Sequence, residues 1–128
     1  MEENTVAFPG FPHPDIEGFT RVPNEFIENE MAKIDNMAEL KVILYAMRHT
    51  WGYQEYGEWK FISIDEFANG RKRKDGTRMD SGTGLGTTAV KSGLRCASKH
   101  GYLIQGYDRK DLARIRKAYY LKMKEQPS

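Results

Sequence analysis

A mainly helical α+β fold is predicted for this chain by three observations. Apolar residues Leu40, Ile43, Leu44, Met47 and Trp51 recur at helical spacing, as in a helix with one buried side. Two runs rich in β-branched and aromatic residues, YLIQGY (Tyr102–Tyr107) and ARIRKAYYLKM (Ala113–Met123), flank the polar stretch Asp-Arg-Lys-Asp-Leu as a β-hairpin would. At 128 residues and 14.8 kDa the chain can enclose one core but is short for two, so these elements belong to one domain.

The elements follow in order. Residues 1–19 contain Pro9, Pro12, Pro14, Gly10 and Gly18, which exclude regular helix and central strand. With Val6, Phe8, Phe11 and Phe19 they form an arm expected to lie on its own domain or on a second subunit. The domain proper is expected over residues 20–123. Pro23 suits the first turn of a short helix, PNEFIENEMAKI, with Phe26, Ile27, Met31 and Ile34 on its apolar side. Asn36 and Glu39 have the spacing of a capping box opening the next helix, which Gly52 can end. His49 and Trp51 at that end read as packing residues. Glu58–Ile64, EWKFISI, reads as a strand. Ser63 and Glu66 form a second capping box, starting a helix of about two turns that Gly70 ends. A further helix runs from Thr87 to His100, with Val90, Leu94 and Ala97 on one side and Gly101 after it. The hairpin comes next, and KEQPS at residues 124–128 resembles the start of a linker or tail.

A short helix, a connection, a second helix and a hairpin together describe a winged helix-turn-helix of three or four helices and a small antiparallel wing. The strand before the motif is expected to pair with the hairpin.

The formal net charge of +2 hides a division along the chain. Residues 1–68 carry 5 Lys/Arg against 13 Asp/Glu, and residues 69–128 carry 15 against 5. The second part is therefore suited to a polyanionic partner. Enzyme motifs are lacking. Gly82, Gly84 and Gly86 have no following Gly-Lys-Ser/Thr and no strand before them, so they make neither a P-loop nor a dinucleotide fingerprint. Asp75 and Asp80 lack the remaining ligands of a calcium loop. His13, His49 and His100 have no metal-ligand spacing, and no Ser/His/Asp or Cys/His set can be placed. The single cysteine, Cys96, excludes an internal disulfide and reads as a packing residue. No cofactor is expected. The first ten residues lack the order of a signal peptide and no apolar run reaches membrane-spanning length, so a cytoplasmic chain is expected.

Nucleic-acid binding fits the residues better. If Val90, Leu94 and Ala97 face the core, the outward stripe of their helix is Thr88, Lys91, Ser92, Arg95 and Lys99, types that contact base edges and phosphates, and the stretch from Thr87 to Arg95 is expected to enter the major groove. An ordinary solvated helix face would include Glu or Asp, and this helix has neither. Arg71, Lys72, Arg73, Lys74 and Arg78 lie in a glycine-flanked connection before it, expected as a loop without rigid support that holds phosphates. Arg109, Lys110, Arg114 and Arg116 on the hairpin complete the expected double-stranded DNA contacts.

Three stretches also carry a resemblance: Gly18-Phe-Thr-Arg-Val-Pro-Asn-Glu, AELKVILYAMRHTWG and TGLGTTAVKSGLRCASKHGYLI. Over about residues 18–123 the chain resembles the N-terminal winged-helix domain of phage and plasmid replication initiators, the phage replication protein O and DnaD-like replisome organiser group. The resemblance implies binding at an origin or other single DNA site, with a separate C-terminal region recruiting helicase machinery. Two features depart from that pattern. RKRKDGTRMDSG is inserted between the helices of the motif, and Gly86 stands where Ser more often caps the recognition helix. Two other readings keep the same fold: a transcriptional regulator on a palindromic operator, and a protein-docking module of a replisome.

Overall fold

The structure, a computed structural model, describes residues 7–12, 18–108, 113 and 116–124. It is an α+β arrangement with a small antiparallel sheet, compatible with the expected architecture. The segment after Pro23 forms a π-helical turn, Phe26–Glu30, and a 3-10 turn, Met31–Lys33, in place of one regular helix. Its inward stripe is Phe26, Glu30 and Ile34, while Ile27 and Met31, expected on the apolar side, face solvent. Glu30 is held inward because the Tyr102 hydroxyl donates to its carboxylate at 3.0 Å.

Helix α1, Met37–His49, begins at Asn36, whose side chain accepts from Ala38 N at 2.8 Å and Glu39 N at 3.3 Å. Only the Asn36 half of the expected box forms. Glu39 is buried instead, with its carboxylate 2.7 Å from His100 Nδ1, tying the start of α1 to the end of a later helix. The buried side is wider than one stripe: Val42, Ile43, Tyr45, Ala46, Met47 and His49 are covered, and Leu44 is exposed. The helix stops before Gly52 because Thr50 folds back to donate to Ala46 O at 2.7 Å, and Trp51–Tyr53 continue as a 3-10 turn.

Strand β1 is Lys60–Phe61, shorter than the expected Glu58–Ile64, since Ser63 already caps the next helix. Helix α2, Ile64–Asn69, has both halves of its capping box: Glu66 N donates to Ser63 Oγ, and Ser63 N donates to Glu66 Oε1. Helix α3, Thr87–Lys99, packs on α1 and α2. Strands β2, Leu103–Asp108, and β3, Arg116–Leu121, pair antiparallel with Leu103 opposite Leu121 and Tyr107 opposite Lys117. β1 adds to the other edge of β3, with Lys60 opposite Tyr119, giving the order β1–β3–β2. The core lies between the helices and this sheet, where the Phe67 ring contacts Tyr45 and Tyr119, each at 5.5 Å between ring centres.

The α1–α3 crossing is set by Gly93. A Cβ there would stand 2.6 Å from the Ala38 carbonyl oxygen, a backbone atom that cannot rotate away. Gly93→Ala gains up to ~1 kcal/mol of helix propensity, yet overpacking costs about 1–3 kcal/mol or more. The steric effect should win, for a net loss of about 1–2 kcal/mol in urea unfolding. An unchanged or raised stability would show that the helices part without cost.

Candidate nucleic-acid interface

The face of α3 opposite the core is built by the helical repeat itself. Val90, Leu94 and Ala97 are buried, which turns Thr87, Thr88, Lys91, Arg95 and Lys99 to solvent and leaves Ser92 half-buried at the edge. Gly86 caps the helix without a side-chain hydrogen bond. Lys91, Arg95 and Lys99 follow one another at four-residue spacing, so their Cα atoms rise about 6 Å at each step. None of the three has an ion pair or hydrogen bond among the described residues. Like charges at this spacing destabilise an isolated helix by about 0.2–0.5 kcal/mol per pair. The stripe is an uncompensated line of positive charge on a rigid support.

The insert between α2 and α3 differs from the expected unsupported loop. Lys72 pairs with Arg78 in a β-bridge, and the turn is closed by Arg73 N donating to Thr77 O at 2.7 Å and Gly76 N to Arg73 O at 3.0 Å. Asp75 accepts from the Thr77 amide and hydroxyl inside the turn. The insert leaves and re-enters the fold at one point. Gly70 and Gly82 have φ of +117° and +68°, and a Cβ on Gly82 would come within 2.6 Å of Gly70 N. Side chains at either position would be strained and would clash across the neck. Thr83 N then donates to Phe67 O at 2.8 Å, so the chain resumes against the end of α2 as a short turn would. The insertion therefore leaves α2 and α3 packed together.

Folding also sorts the basic residues of the insert. Arg71 donates to the Phe61 carbonyl and pairs with Glu66 at 3.2 Å. Arg78 pairs with Asp65 at 2.8 Å and donates to Gly70 O at 2.7 Å. Lys72 approaches the same Asp65 at 3.8 Å. Hydrogen bonds from Arg78 and Asn69 hold the Asp65 carboxyl below its ordinary pKa. Asp65 and Glu66, in the first turn of α2, thus take up much of the charge that the sequence assigned to phosphates. Arg73 is exposed but donates to Thr77 Oγ1 and Arg78 O. Lys74 is exposed with no partner among the described residues. On the sheet, exposed Arg116 places its guanidinium 4.3 Å from the Phe61 ring centre. Arg109, Lys110 and Arg114 lie outside the described residues.

One constellation escaped the sequence reading. Asp80, at the return of the insert, accepts from the Tyr45 hydroxyl at 3.0 Å and from Gly82 N at 2.8 Å, and lies 2.9 Å from His49 Nε2. A carboxylate only accepts, so Nε2 carries the proton. Burial opposes the Asp80 charge, but these three donors together outweigh it and hold its pKa below the ordinary value. For His49 burial is the larger effect: it favours the neutral ring more than Asp80 favours the charged one, and the pKa falls. The unfolded chain should therefore take up a proton through about pH 6.5 while the folded chain does not. Stability should decline as pH falls below about 6.5 until His49 itself titrates. An NMR titration should place the His49 ring midpoint below that of a free histidine, and a midpoint at or above 6.5 contradicts this.

Cys96 is partly buried, its sulfur 3.8 Å from Asn36 Nδ2. Among the described residues no three His, Cys, Asp or Glu side chains group as metal ligands, and no helix is long and apolar enough to cross a membrane. No family model, no curated protein and no solved structure matches this chain.

Proposed function

We propose that this chain is a winged-helix domain that binds double-stranded DNA sequence-specifically, without catalysis, in initiating replication of a phage, plasmid or other mobile element. The uncompensated line Lys91–Arg95–Lys99 carries this reading. Three cations on one face of an anchored helix, without acid beside them, cost stability and suit a partner with regularly spaced negative charge. In this reading α3 enters the major groove, where Thr88, Lys91, Ser92 and Arg95 meet base edges, while the insert tip and the hairpin touch neighbouring phosphates. Resemblance to the replication-initiator group supports the place in replication. Selection from random duplex DNA tests the binding: a recurrent short motif is expected, and no enrichment together with no duplex binding at low salt overturns the reading. A plasmid carrying the selected site should then replicate only when the protein is supplied. A site that alters transcription of a neighbouring gene and supports no replication would favour a regulator instead.

A further inference from the structure

One hollow lies away from the outer face of α3. It is an apolar cleft of about 780 Å³ between the segment after Pro23, α1 and the end of β3, with Phe26, Met47, Trp51, Tyr102 and Met123 in its walls. That volume falls within the ~300–1,000 Å³ of ordinary ligand sites. Its apolar surface continues outward, since Trp51 lies 6.0 Å from the half-exposed Tyr56 ring. Elsewhere on the same chain are two largely exposed apolar side chains. Phe8 and Phe11 are 66% and 88% exposed, their rings 4.8 Å apart in an edge-to-face pair. The short segment Phe-Pro-Gly-Phe thus presents two anchors side by side.

We propose that the cleft receives the Phe8–Phe11 segment of a second copy of this chain, so that two copies exchange arms. Three observations select this occupant. Charge is the first: residues 1–17 contain Glu2, Glu3, Asp15 and Glu17 and no Lys or Arg. At the cleft rim Glu25 is paired with Lys124 at 2.9 Å and Glu30 with Lys33 at 3.2 Å, while Lys122 has no acidic partner among the described residues. Position is the second. Pro23, a few residues after the arm, forms part of the cleft edge, and the two rings are mostly exposed. Between the rings Pro9 and Gly10, with φ of +119° at Gly10, bend the chain so that both rings are brought together as one apolar pair. Area is the third. Four phenylalanines at about 150–250 Å² each, with a comparable area of wall covered, give roughly 1,200–2,000 Å², the range of a stable specific interface. Reciprocal exchange makes the contact isologous and closes the assembly at two.

The test uses the whole chain in sedimentation velocity across a concentration series, with two variants. Wild type should pass from monomer to dimer as concentration rises. Phe8→Ser/Phe11→Ser, which lacks the anchors, and Met123→Glu, which charges the partly exposed cleft edge, should each weaken dimerisation by tenfold or more with unchanged circular dichroism. Mixing the two variants should restore a heterodimer, because one retains a working arm and the other a working cleft. In mixed labelled and unlabelled samples, isotope-filtered NOEs should join the Phe8 and Phe11 rings of one copy to the Met47 and Met123 methyls of the other. A wild type that stays monomeric throughout overturns the proposal, as does a dimer indifferent to both variants. NOEs arising only within one chain overturn the exchange too. DNA is not needed for any of these readouts, so the result is independent of the nucleic-acid reading.

Discussion

Asp80→Ala should lower the stability of the domain by about 2–4 kcal/mol, more than any other single substitution considered for this fold. The carboxylate is the common acceptor for the Tyr45 hydroxyl, His49 Nε2 and the Gly82 amide. Hydrogen bonds to a charged acceptor contribute about 1.5–3 kcal/mol each, so three would suggest a larger loss. Asp80 is, however, about a third exposed, and water can replace part of what is removed. His49 sets the lower bound, because its side chain is only 1% exposed and its ring N–H would be left without an acceptor. Asp80→Asn should cost less, about 1–2 kcal/mol, since the amide oxygen can still accept from one or two of the donors. Urea unfolding of both variants gives the energies. Hydrogen exchange supplies a local readout: the Arg73 and Met79 amides, bonded within the insert to Thr77 O and Arg71 O, should lose protection first. A loss below about 0.5 kcal/mol for Asp80→Ala would mean that solvent already serves these donors.

This constellation also marks where the sequence ceases to be readable. Asn36 as a cap, Ser63 with Glu66 as a box, and the buried side of α3 are local patterns, settled by residues within one or two turns. The pairing of the short strand with the hairpin could be anticipated because a lone edge of that kind needs a partner. Asp80, by contrast, meets residues 31 and 35 positions away, and nothing near it in the chain signals that. Glu39 is the same lesson in reverse. Its spacing from Asn36 predicts a local box, but a tertiary partner, His100, takes the carboxylate. In the candidate interface, the count of positive residues was visible and their availability was not. Arg71 and Arg78 are drawn to Asp65 and Glu66 only once α2 and the insert fold against each other.

That sorting leads to the second large effect, which separates two kinds of DNA contact. Bidentate recognition of guanine needs an arginine whose fork is not already engaged. Arg71, Arg73 and Arg78 each commit Nη1 to partners inside the protein, Arg71 to Glu66 and Phe61 O, Arg73 to Thr77 and Arg78 O, and Arg78 to Asp65 and Gly70 O. Arg95 has no such partner and stands on a helix anchored by Val90 and Leu94. Arg95→Ala should therefore cost about 1–3 kcal/mol at the selected site and much less on scrambled duplex. Lys72, Arg73 and Lys74 at the insert tip should act as phosphate neutralisers. Replacing all three with alanine should weaken every sequence alike and flatten the plot of log affinity against log salt by roughly one unit per lost contact. Arg95→Ala should change stability little, since that side chain is exposed. The triple variant should lose only the exposed contacts of Lys72 with Asp65 and of Arg73 with Thr77 and Arg78 O, a small cost. Binding of both variants to selected and scrambled duplexes across a salt series separates the two roles. If the triple variant loses sequence preference while Arg95→Ala keeps it, the insert reads the bases and α3 only neutralises phosphates, because a lost charge alone cannot tell one sequence from another.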